Sequence, residues 1–118
     1  MNEAASSKRV TSETELSTLL QREPAVMLYF SSPECGVCHV LKPRITALLA
    51  EQFPRVVFAE VDCAETPALA ALYQVFTVPV VLLFLDGRES SRWVRNLHLG
   101  ELREQLARPY SFLFGDTL

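Results

Sequence analysis

This sequence has no long basic run, no apolar run long enough to cross a membrane, no secretory leader pattern and only three cysteines. Its 11 Lys and Arg are scattered among 14 Asp and Glu for a net charge of -3, so nothing resembles a phosphate-binding footprint and nucleic acid is not an expected partner. The longest apolar stretches, at 26–30 and 78–85, fall well short of the roughly 20 residues a membrane helix needs. The amino-terminal MNEAASSKRV is polar and lacks a basic-then-apolar signal, so the expectation is a soluble, cytoplasmic protein. A processed secreted form would read the same way. The odd cysteine count argues against a scaffold stapled by disulfides and for one reactive pair beside a solitary thiol.

What is present is enough apolar residue, 49% of 118, to build one core. No internal repeat or low-complexity block interrupts the chain. Residues 1–10 read as a partly disordered lead-in or a short edge strand, 11–108 as the domain, and 109–118 as an aromatic tail. Ser12, with Glu15 three positions on, has the form of a capping box and predicts a helix over 13–22 that buries Leu16, Leu19 and Leu20. The unbroken apolar segment 25–30 reads as a strand buried on both faces, in mid-sheet. A helical period then runs through Val40, Leu41, Ile45, Leu48 and Leu49 to Phe53, with Pro43 inside it as a kink.

Residues 56–63 predict a second strand, Thr66-Pro67 the start of a short helix, and 79–85 a third strand turning at Asp86-Gly87 into a fourth at 90–95. A last helix is expected over 100–107. The order β-α-β-α-β-α-β-β-α specifies an α/β fold: a mixed four- or five-stranded sheet with helices on both faces.

The chemistry concentrates in Cys35-Gly36-Val37-Cys38-His39, where a buried strand ends and a helix begins. Two intervening residues in a first helical turn bring the sulfurs within bonding distance. A cysteine at the helix start meets unpaired backbone donors and the positive end of the helix dipole, which favour a thiolate over a thiol of ordinary pKa ~8.5. Cys35 is therefore the expected nucleophile. Cys38, one turn further in, is the expected resolving thiol.

The same residues have three other conceivable uses. C-x-x-C-H is also a haem-attachment pattern, but the motif is flanked by a buried strand and an apolar-faced helix rather than a wrapping loop. Zinc would need a second pair of ligands, which His39, His98 and Cys63 do not supply. A binding module that docks a partner without electron transfer is the alternative of a different class. No cofactor is expected, since the dithiol is itself the redox centre.

The strand VMLYF, Cys35-Gly36-Val37-Cys38, Pro43, Val61-Asp62, Thr66-Pro67, Thr77-Val78-Pro79 and Asp86-Gly87 together resemble the thioredoxin family over about residues 8–108. The resemblance implies a thioredoxin fold and thiol–disulfide exchange with a protein disulfide or dithiol substrate. Electrons would come from a reductase or a small thiol. It implies that Pro79 is preceded by a cis peptide bond beside the dithiol and that the Val78 backbone pairs with substrate, with Gly36 and Val37 completing the contact surface.

Several positions depart from the family pattern. Tyr29 stands where the family has a buried aspartate, Glu60 where it has a lysine, Glu34 where it has a tryptophan, and Val37 where it has a proline. Arg95 replaces a glycine that leaves room for a docking partner, and it joins Gly36, Val37, Val78 and Pro79 as a candidate substrate-binding residue. Glu60 is the candidate replacement acid for the Cys38 proton if it is buried; the alternative is a carboxylate at the sheet edge facing water. The tail, with Tyr110, Phe112 and Phe114, either packs back on the domain or joins two chains. A monomer is expected, with a tail-mediated dimer as the alternative.

Overall fold

The computed structural model describes residues 7–115. The remainder of the predicted lead-in, 1–6, and the last three residues of the tail lie outside them. The elements are β1 (Ser7–Arg9), α1 (Glu13–Arg22), β2 (Ala25–Ser31), α2 (Gly36–Gln52), β3 (Val57–Asp62), α3 (Pro67–Leu72), β4 (Val80–Leu85), β5 (Arg88–Val94) and α4 (Leu99–Phe114). They form a five-stranded sheet in the order β1-β3-β2-β4-β5. The first three strands are parallel, and β4 and β5 add antiparallel partners.

Strand alternation divides the core into two layers. Val26, Leu28 and Phe30 face α1 and α3, packing with Leu16, Leu20 and Leu69. Met27 and Tyr29 face α2 and α4, packing with Ile45, Leu49, Leu102 and Leu106. Both faces of β2 are thus buried, as its unbroken apolar run requires.

At the start of α1, the Ser12 hydroxyl accepts the Glu15 N–H at 3.1 Å, while Glu15 reaches one residue beyond the cap and accepts the Thr11 N–H at 2.9 Å. Pro43 lies within α2 as expected. Val40 is exposed rather than buried, because Cys38, Ile45 and Leu49 carry the inward face of that helix. Asp86 and Gly87 both take positive φ, at 51° and 82°, the left-handed pair of a tight hairpin turn. Pairing therefore resumes at once with Leu85 opposite Arg88, and β5 begins two residues earlier than the sequence suggests.

The largest difference is at the carboxyl end. Helix α4 passes through Pro109 and continues to Phe114 instead of stopping near Ala107. Tyr110, Leu113 and Phe114 pack against the α2-side core, the Tyr110 ring meeting Phe53 edge-on at 5.2 Å. This contact compensates for the backbone hydrogen bond that proline removes. Arg55 donates its N–H to the Tyr110 hydroxyl and places its guanidinium over the Phe114 ring. The described part of the tail packs back, except for Phe112, which is 88% exposed.

Candidate active site

The end of β2 delivers Ser31 into a short loop, and α2 starts at Gly36 with Cys35 as its N-cap. Cys35 and Cys38 are joined as a disulfide, with Cα atoms 5.2 Å apart. The Cys35 sulfur also accepts the Cys38 backbone N–H at 3.1 Å, the capping geometry the spacing predicts. The two sulfurs differ in access: Cys38 is 1% exposed, whereas Cys35 is only partly buried. Gly36 and Val37 are exposed beside them, and a Cβ built on Gly36 would meet nothing, so the surface over the dithiol is open.

Beneath the pair, the Tyr29 hydroxyl donates to the Cys38 carbonyl at 2.7 Å. Its ring is fully buried, and burial together with the nearby Glu60 charge pushes its pKa well above the ordinary tyrosine value. A raised folded-state pKa means that Tyr29 contributes stability while it is neutral and that this is lost as pH climbs past the unfolded value near 10. Alkaline unfolding should therefore lose about 1.4 kcal/mol per pH unit above pH ~10, and Tyr29→Phe should flatten that slope. Denaturant titrations of the two proteins across this range measure it. Parallel slopes would remove Tyr29 as the source.

Glu60 is not at a sheet edge. The short strand β1 pairs outside β3, so Glu60 is interior to the sheet, opposite Tyr29 in the β2–β3 register. Its side chain is 13% exposed and faces α2, where Lys42 Nζ donates to Oε1 at 2.6 Å. Ser31 Oγ donates to Oε2 at 2.8 Å. The carboxylate thus has a cation and a hydroxyl as partners.

Sequence reading missed Lys42, Ser31 and the Tyr29 hydroxyl as members of this cluster. Lys42 was detectable, since it follows Cys38 by four residues and so shares its helix face. His39 is exposed, and its Nε2–H donates to the Pro33 carbonyl at 2.9 Å.

Opposite the dithiol, the Val78–Pro79 peptide bond is cis, as the resemblance implies. Val78 is half-buried. The Arg95 N–H donates to the Pro79 carbonyl at 3.1 Å, and Arg95 takes a φ of 70°. That left-handed backbone explains why a glycine suits this place. Arg92 braces the same wall from β5, donating to the Tyr73 and Gln74 carbonyls and pairing with Glu89.

A half-exposed cysteine capping a helix, bonded to a buried one and facing a cis-proline loop, defines a thiol–disulfide oxidoreductase. The thioredoxin family model matches residues 7–108, and the chain belongs to that family. It is 37% identical over 89 residues to the thioredoxin-like protein YdfQ of Bacillus subtilis, covering 75% of this chain and 79% of the relative. A thioredoxin of Chlamydia trachomatis is 39% identical over 69 residues, covering 58% of this chain and 67% of the relative. Among solved structures, a mutant thioredoxin from Halobacterium salinarum superposes with a TM-score of 0.78 at 30% identity, covering 89% of this chain and 91% of its own.

Proposed function

We propose that Cys35 is the attacking thiolate, Cys38 the resolving thiol and Glu60 the acid–base group that serves Cys38. The Cys35 thiolate attacks one sulfur of a protein disulfide, forming a mixed disulfide and releasing one substrate thiolate. The Cys38 thiolate then attacks the Cys35 sulfur, closing the intramolecular disulfide and releasing the second substrate thiolate. Two electrons pass to the substrate, and an external thiol or dithiol restores the pair. The observation that carries these roles is the asymmetry of access: a macromolecular disulfide can reach Cys35 but not Cys38.

Cys38 must lose its proton in a buried setting, where an unaided thiolate is costly. Glu60 supports this step through its place on the α2 face of β3, one strand over from Tyr29, where its carboxylate is paired with Lys42. The Val78 backbone and Pro79 hold the substrate segment, with Gly36 and Val37 beneath it. The protein acts as a monomer in the cytoplasm, where thiols are kept reduced.

Glu60→Gln keeps the shape and the Ser31 contact but removes the base. It should slow release from a preformed mixed disulfide by about tenfold or more. Stopped-flow release tests this. An unchanged rate would confine Glu60 to pairing with Lys42.

A further inference from the structure

We propose that Arg95 reads an acidic residue flanking the disulfide of the polypeptide substrate, so that this oxidoreductase prefers substrates with Asp or Glu on that side. The inference rests on the reading of Cys35, Val78 and Pro79 as the substrate-facing residues. The strand order carries it: at one end of the sheet β3, β2, β4 and β5 bring Cys63, Cys35, Pro79 and Arg95 side by side.

The two flanks of Pro79 differ in chemistry. On the α3 side an open groove of about 370 Å³ lies among Ser32, Cys63, Ala71, Phe76 and Val78. No charged side chain lines it, and Phe76, 81% exposed at its rim, offers an apolar surface. On the β5 side stands Arg95, exposed and without an ion pair among the described residues. Its backbone is fixed to the Pro79 carbonyl, which anchors this residue beside the cis-proline. An arginine holds this left-handed position against the local preference for glycine.

A guanidinium is always charged and presents a planar fork of donors that matches a carboxylate. An extended segment laid along Val78 therefore offers an apolar side chain to the groove and, at the other flank, a residue to Arg95. Glu34, exposed beside Cys35, disfavours an acid next to the sulfur and leaves the Arg95 flank as the place for one.

The test uses peptide disulfides identical except for one residue, Asp, Asn or Lys, moved through the positions on either side of the cysteine, with kcat/KM measured for each. At low salt, Asp should exceed Asn by about two- to fivefold on one flank, with Lys below Asn, and the preference should shrink in high salt. Arg95→Gln should bring the Asp-to-Asn ratio to one and Arg95→Glu should invert it. Both variants place a side chain in the same left-handed backbone, so a merely structural effect would move all peptides together. Equal rates for Asp, Asn and Lys at every position, or a preference that survives Arg95→Gln, overturns the role of Arg95. Failure to reduce any of the peptides overturns instead the reading of the dithiol as acting on polypeptide disulfides, and this inference with it.

Discussion

Cys35→Ser should reduce disulfide exchange to the uncatalysed background, while Cys38→Ser should take up one substrate molecule per chain and stop. The physical basis is that the two sulfurs occupy different environments within one helical turn. Cys35 caps α2 and is reachable; Cys38 is buried under the same turn, its carbonyl held by Tyr29. Without Cys38 the mixed disulfide has no internal thiol to break it, because only attack by a thiolate completes the exchange. Cys63 does not substitute, since burial first and the Asp62 charge second push its thiol pKa up and leave less thiolate to react. Intact-protein mass after incubation with a peptide disulfide reads the outcome: a reductant-sensitive adduct on Cys38→Ser and none on Cys35→Ser. The reverse pattern would exchange the two roles.

Phe58→Ala should destabilise the protein by about 3–5 kcal/mol. Phe58 is fully buried on the α2 face of β3, two residues before Glu60, and its ring lies 5.7 Å from that of Tyr29. Deleting it leaves a cavity between Tyr29 and the helix that carries the dithiol, at a place in mid-sheet where paired backbone on both sides prevents collapse. The denaturant midpoint should fall with an unchanged slope, and Tm should drop by more than about 10 °C. A loss below about 1 kcal/mol would mean that α2 closes onto the strand, and Tyr29 would then lose its alignment with the Cys38 carbonyl.

The parts of the fold that sequence reveals are those written in local chemistry. Ser12 and Glu15 mark a helix start, the run 25–30 marks a strand covered on both sides, and Asp86-Gly87 supplies the positive φ of a hairpin. The dithiol is legible for the same reason, since two cysteines three apart at a strand-to-helix junction have few other uses. Long-range placement was less legible. Whether Glu60 faces water depends on Ser7–Arg9 pairing outside β3; a short edge strand is one reading of that segment, but its three polar residues do not say which strand it joins. The continuation of α4 past Pro109 depends on Phe53 and Arg55, more than fifty residues away, which receive Tyr110 and Phe114. Local proline chemistry argues for a stop, and a tertiary contact overrides it.

That contact also gives the molecule two poles. A helix of 17 residues is about 25 Å long, so Phe53 and Arg55, which follow the last turn of α2, lie about that far from the sulfurs at its first. The final turn of α4 is fastened to this distant end. A chain immobilised through a residue introduced near Phe112, on an electrode or a bead, would present its dithiol outward to the solution, so its redox chemistry could be interrogated without the support obstructing the approach of a large partner.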